Sequence, residues 1–536
     1  MAMAIALLFA LIFAVMMAFT YYLTVIGYIT GIFILLVPLI LTILIIVLQW
    51  GVSPLIIRWI YKIRWVDPGS FDPKIGEFIR ETCREKRIKE PRFGIVSDDN
   101  PNAFAFGWTR NKAHLVLTRG IVKYCDEEEQ KAVVAHELGH IAHNDFVVMT
   151  VIGAIPVLFY VIARSCYYTI RYSRGGGHDR GKVAAFVGLV AAVSFLVYLL
   201  SQLVVLLVSR YREYYADDFS AGTTRKPNAL SSALVKIAYG LAYEGLGEKS
   251  EKMHDKYESA LMIFNSKMAR ALAAKSADKY GKVSKERIKR AMAWDVWNPW
   301  AAYLELQMTH PLPAKRIVAL GKKAKELGQP PFVEFDLGKP ESYWDDFFKD
   351  VFARGGWLFA FPVAFIVWWY LGSFLLTLGS FLLFMGVVLT LYLKFYRYPK
   401  SFPSINVSDL VQNPKASPVR GIGAKLEGKV IGRGQPGLFF SEDLKIDDGT
   451  GLLLLDYRSI FKLIDFLVGV FETEERVGKE IQVEGWYRRS VVPYLEIYCM
   501  EIQKKRIRIW RPSIEVGGAV FLTLLGFFFL LLLFLV

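Results

Sequence analysis

Long apolar runs alternate with polar blocks along this chain, and the lengths of those runs set the first expectations. Residues 1–50 are almost uninterrupted apolar sequence, enough for two membrane-crossing helices with a tight turn near Tyr21–Gly27. Phe146–Ala163 and Ala184–Val208 make a second apolar pair, Trp357–Lys394 a third hairpin (356–394), and Val516–Val536 a single closing span. A bilayer core calls for roughly 20 apolar residues per helix, so the pattern predicts a multi-span α-helical membrane protein. The first run lacks a basic leader and a small-residue cleavage site, which favours a retained hairpin over a signal peptide.

Between the runs the periodicity changes. In residues 51–145, Asp72–Lys89 reads as an amphipathic basic helix, and Arg92–Ser97, Ala103–Trp108 and His114–Thr118 read as short strands. Asp126–His143 has no proline and opens on Asp126 with Glu129 three residues later, the signature of a capping box. Residues 209–350 form a second polar block, mainly helical, with helices expected at 229–244, 251–276 and 285–294. From 404 to 509 the character becomes strand and turn. Ala424–Ile431, Leu444–Ile446, Gly451–Tyr457, Glu480–Tyr487 and Tyr494–Met500 make about five strands of an all-β, OB-like barrel, with a hairpin turn at Asp447–Gly451.

Composition fits this layout, with 54% apolar residues and a formal charge of +15. In a membrane protein such an excess collects in cytoplasmic segments, and the basic flanks Arg58, Lys62 and Arg64, then Lys394, Arg397 and Lys400, then Lys504–Arg511 place the polar blocks there. No nucleic-acid partner is expected, and the sequence does not identify the barrel's partner. The loop holding Arg164, Arg171, Arg174, Arg180 and Lys182 runs against the rule, and Pro156 leaves open a partial or tilted crossing in 146–208. Four scattered cysteines without paired spacing read as free thiols.

The chemistry lies in His136-Glu137-Leu138-Gly139-His140. On a helix, residues four apart present two imidazoles to one point, which is half a zinc site, and Glu137 stands beside the first ligand where a general base is needed. A helix with two solvated histidines is the bland alternative, and His143 lies near the same face. Glu213, where the chain re-emerges from the second hairpin, is placed to meet both histidines. Asp217, four residues on, shares its helical face and could serve a ligand's second ring nitrogen.

These residues resemble the M48 membrane zinc metalloproteases, the family that includes HtpX and the Ste24 CAAX proteases. The resemblance rests on Asn102–Gly107, His136-Glu137-x-x-His140, Ser209-Arg210-x-Arg212-Glu213-x-x-Ala216-Asp217, and Thr309-His310-Pro311 followed by Arg316-Ile317, over about residues 1–320. It implies a zincin-like α+β protease domain in which His136, His140 and Glu213 bind Zn²⁺, Glu137 activates water and Asp217 orients a ligand histidine. His310 becomes a candidate oxyanion donor, with helix capping as its alternative. Asn102, Ala103, Phe104 and Ala105 become a candidate substrate strand, although Phe104 and Phe106 could equally be core. Two spans before the zinc helix resemble HtpX more than Ste24, so the expected substrates are membrane proteins in quality control. Prenylated CAAX proteins are the enzymatic alternative, and a non-catalytic zinc-stabilised scaffold is the other. The third hairpin, the OB-like domain and the final span lie outside the resemblance.

Overall fold

The computed structural model describes residues 33–99, 101–172, 180–244, 285–335, 342–433, 442–461, 465, 468, 473–490, 492–503 and 505–535. The first expected span, the glycine-rich loop at 175–178 and the helix expected at 251–276 lie outside the described residues. The chain forms two compact units, and the described part of the first falls in 33–240 and 305–332.

The first unit begins with α1 (Phe33–Ile60), which runs past residue 50 through Arg58. Its end belongs to the soluble domain. Ile57, Tyr61 and Ile63 share a core with Phe104, Phe106 and Val116. The Trp108 indole also donates to the Gly51 carbonyl at 2.8 Å. That core is one face of a four-stranded sheet made of β1 (Arg64–Trp65), β2 (Arg92–Val96), β3 (Ala103–Gly107) and β4 (Ala113–Thr118). The strand order is β1-β2-β4-β3, with β2 parallel to β4 and β3 antiparallel to it at the edge. Between β1 and β2, α2 (Pro73–Glu85) starts on an Asp72 cap with proline in its first turn.

The helix bearing the histidines is α3 (Glu127–Ala142), closed at its start by the Asp126–Glu129 capping box. Asn144, in the left-handed region at φ 61, turns the chain into α4 (Asp145–Tyr172). Its side-chain oxygen fixes that turn by accepting from the Arg110 backbone N–H at 2.9 Å. The next helix, α5 (Arg180–Thr224), is continuous over 45 residues and crosses the expected boundary at 208. The pair is antiparallel along its length: His143 meets Tyr215 at 6.0 Å, Tyr160 meets Tyr198 at 5.3 Å, and Ile170 lies against Gly188. At 1.5 Å per residue α4 extends about 42 Å and α5 about 67 Å, so both exceed a hydrocarbon core of about 30 Å. Pro156 sits inside α4 without ending it. Two shorter helices, α6 (Pro227–Glu244) and α7 (Pro313–Glu326), pack near the start of α3 and against α5.

The second unit contains the helices Lys285–Trp297 and Pro299–Glu305 up to Leu304, and then the chain from 333 onward. Its membrane part is α8 (Trp344–Gly355), α9 (Ala360–Leu371) and α10 (Phe374–Leu391), the last extended by a π turn over Tyr392–Arg397. Gly372 at φ 60 makes the bend between α9 and α10. The barrel comprises β5 (Ile422–Arg433), β6 (Leu444–Asp447), β7 (Leu452–Asp456), β8 (Glu480–Arg488) and β9 (Tyr494–Ile502). The strands close in the cycle β5-β6-β7-β9-β8-β5, with β7 parallel to β9 and every other pair antiparallel. This is an OB-like connectivity, filled by Leu444, Ile446, Leu455, Val483 and Leu495. A short β10 (Lys505–Arg508) adds to β9, and α11 (Arg511–Leu535) follows.

α10 and α11 approach closely because a Cβ on Gly386 would lie 2.4 Å from Thr523 N and one on Gly526 would lie 2.2 Å from Leu383 N. Tyr398, just after the π turn, donates to Glu515 in the first turns of α11 at 2.8 Å. The Tyr398 hydroxyl is also 3.2 Å from Glu496 of β9, so both spans reach the barrel through one cluster. Among the described residues, six helices are long and apolar enough to cross a membrane: Ile40–Ile60, Asp145–Tyr168, Ala184–Thr224, Trp344–Leu371, Phe374–Arg397 and Arg511–Leu532.

Candidate active site

α3 is buried over most of its length, and its histidines are held from outside the helix. The Nδ1 of His136 lies 3.0 Å from an Asp217 oxygen and the Nδ1 of His140 lies 2.5 Å from an Asp145 oxygen. A carboxylate at Nδ1 fixes the proton there and leaves Nε2 as a lone pair. The two Nε2 atoms face each other at 3.2 Å. Glu213 brings one oxygen to 3.6 Å from each of them. Two lone pairs and a carboxylate converging in a buried site repel one another unless a cation stands between them.

Other observations point the same way. Oε2 of Glu213 is buried without a hydrogen-bond partner. Glu137, Asp145, Glu213 and Asp217 are each 4% exposed or less. Among the described residues, the guanidinium groups that touch them are Arg316, on both Glu213 and Asp217, and Arg212, on Asp145 at 3.0 Å. Four carboxylates against two guanidinium groups leave a deficit that a divalent ion offsets, and an uncompensated buried charge is costly. Donor atoms of His136, Glu137 and His140 lie within 4.8 Å of one another. Burial pushes the His136 imidazole down, but Asp217 and Glu213 outweigh it and raise the group to about 9, a sign that the surrounding carboxylates favour positive charge at this point.

The close approach of α5 to α3 is a matter of side-chain size. A Cβ on Gly139 would already stand 3.1 Å from the Ala216 backbone and the Phe219 side chain. Ser220 ties the same helices by donating to the Ala132 carbonyl at 2.7 Å. Arg210, one turn before Glu213, donates to the carbonyls of Glu305 and Met308. Glu305 accepts from the Leu312 backbone N–H at 3.0 Å. The loop so closed delivers His310, whose Nδ1 is 3.2 Å from Glu213. It also leads into α7, where Arg316 grips Asp217 with bonds of 2.8 and 2.6 Å.

The structure thus brings His136, Glu137, His140, Glu213, Asp217 and His310 together. Asn102, Ala103, Phe104 and Ala105 lie at and in edge strand β3, which packs on α3. The Phe104 and Phe106 side chains point into the core shared with α1. His143 caps the end of α3 and meets Tyr215 and Phe219. Asp145 and the pairing of Arg316 have no counterpart in the sequence reading. The signal for Asp145 was an acid heading an apolar run directly after the histidine helix, a costly place for an unpaired charge.

A helical membrane protein with a buried histidine–carboxylate metal site beside a mixed sheet is built as a membrane metallopeptidase. Residues 71–324 match the model of peptidase family M48. Over 198 residues the chain is 36% identical to "Protease HtpX homolog" of Methanothermobacter thermautotrophicus, covering 37% of this chain and 71% of that one. It is 33% identical to "Protease HtpX homolog 2" of Saccharolobus solfataricus, over 54% of this chain and 87% of the relative. Among solved structures, Ste24p of S. mikatae aligns at 17% identity and a TM-score of 0.32, covering 53% of this chain and 57% of that one. The chain belongs to peptidase family M48 and is an HtpX-like membrane metalloprotease.

Proposed function

We propose that the chain is a zinc endopeptidase whose active site faces the cytoplasm and whose substrates are membrane proteins, with His136, His140 and Glu213 as the metal ligands. The observation that carries the zinc assignment is the convergence of two Nε2 atoms and the Glu213 carboxylate on one buried point. Nitrogen and carboxylate donors of this kind, with one position left for solvent, suit zinc. When bound, the ion would lower the pKa of water to about 7 and polarise the scissile carbonyl.

The chain's own residues carry the proton and hold the peptide. Glu137, next to His136, takes the proton from the attacking water and delivers it to the leaving amine. Asp217 and Asp145 hold the ligand imidazoles in one tautomer. His310 stands with Nδ1 3.2 Å from Glu213, and as an imidazolium it would have its other ring N–H to donate to the oxyanion. Substrate adds along the free edge of β3. The pairing of Thr118 N with the Asn102 carbonyl at 2.9 Å sets the hydrogen-bond phase, so Phe104 bonds to β4 while Ala103 and Ala105 turn their backbone groups to the open edge. Side chains of any sequence are then tolerated, since the strand is recognised through its main chain. The cytoplasmic assignment is supported by the three basic flanks at Arg58–Arg64, Lys394–Lys400 and Lys504–Arg511.

The test is Glu137→Gln in the purified full chain. It should keep near-stoichiometric zinc and lose cleavage of an unfolded membrane substrate by at least about a hundredfold. Cleavage at the wild-type rate would remove Glu137 as the base, and preferential cleavage of a prenylated CAAX peptide would change the substrate class.

A further inference from the structure

The last hairpin of the barrel carries a surface that the protease site does not use. β10 pairs with β9 so that Arg508 faces Cys499 and Lys505 faces Ile502. Strand alternation turns Ile507 toward the barrel core, on which it packs, and turns Arg506 and Arg508 outward. Arg508 lies over the rings of Tyr498 and Trp510 at 5.0 and 4.9 Å. Trp510 is itself 59% exposed.

Only Ile509 and Trp510 separate β10 from the membrane helix α11. Arg508 and Arg511 are three residue steps apart, at most about 10 Å when extended, which is comparable to the Debye length of about 8 Å at physiological salt. The hairpin therefore stays within electrostatic reach of the headgroups around α11. Its charges are not neutralised from within: among the described residues, Lys505 and Arg508 have no carboxylate at ion-pair distance. Arg506 donates from Nε to the Cys499 sulfur at 3.0 Å and has Glu484 at 3.7 Å, with 69% of its side chain still exposed. Exposed cations and a tryptophan directly above a span match an anionic headgroup layer. Nucleic acid is the other polyanion an OB-like barrel can take, through the face of its second and third strands. Those strands are β6 and β7, and neither contains an aromatic residue on which a base could stack.

We propose that the β9–β10 hairpin is a docking surface for the phosphodiester headgroups of anionic lipids in the leaflet that α11 enters, and that it seats the barrel on the membrane. This does not depend on the protease reading. The test is amide hydrogen exchange over residues 498–511 of the full chain in nanodiscs of phosphatidylcholine, without and with phosphatidylglycerol. Exchange in β10 should slow only when phosphatidylglycerol is present, and the protection should vanish at about 1 M salt, where the Debye length is about 3 Å. K505Q/R506Q/R508Q should weaken the response about fivefold per charge removed, while R506K/R508K should retain it. Exchange in β5 and β8 reports the fold of each variant. Equal exchange in the two kinds of disc, or protection by a single-stranded oligonucleotide and not by phosphatidylglycerol, would overturn the proposal.

Discussion

Asp145 shows how much of the site is decided one residue away from the ligands. Its carboxylate bridges His140 on α3 and Arg212 on α5, the neighbour of Glu213. Asp145→Ala should lower zinc affinity by about 10–100-fold in a chelator competition, and Asp145→Asn should recover part of the loss by keeping an acceptor for the ring proton. A second buried acid acts on the barrel. Burial, with the Asp456 charge beside it, pushes the Asp443 carboxyl up to about 8. A carboxyl that stays protonated in the fold but ionises when unfolded costs stability as pH rises. Its contribution is complete below about pH 4 and lost by about pH 8. Asp443→Asn keeps an oxygen for the Tyr457 N–H that Asp443 accepts at 3.0 Å. Thermal unfolding of the barrel should then shift upward at pH 8, by on the order of a few kcal/mol, and change little at pH 4.

Among the elements, α3 was the most legible in sequence because its cap, its proline-free run and the four-residue histidine spacing are local. The same holds for the barrel strands, where alternation and the Asp448-Gly449 turn give position and register. What sequence could not give was the reach of α1 and α5. Apolar runs report where hydrocarbon is crossed, and both helices continue beyond it, α1 into the core under Phe104 and α5 into the candidate metal site. The contact of α5 with α3 depends on Gly139, a residue whose meaning appears only with Ala216 and Phe219 beside it. Gly139→Val should force the helices apart, costing about 1–3 kcal/mol, and zinc stoichiometry should drop although every ligand remains.

Over the whole molecule, the first unit holds all the groups assigned to catalysis, yet its sheet is incomplete without a membrane helix. Deleting residues 1–60 should leave Phe104, Phe106 and Val116 without Ile57, and the product should show rapid limited proteolysis and no zinc. The basic residues from Arg164 to Lys182, two of which lie within α4, run against a full second hairpin. The antiparallel contacts from His143–Tyr215 to Ile170–Gly188 argue for one.

The unbroken length of α5 has a further meaning. Its apolar run ends at Val208 and Glu213 follows five residues later on the same rigid rod, a rise of about 7 Å. On the proposed function, Glu213 would keep a fixed height above the hydrocarbon, and an extended substrate would climb that height in about two or three residues. Cleavage sites mapped on membrane substrates should accordingly cluster within a few residues of the point where each segment leaves the bilayer, so that the helix would act as a ruler.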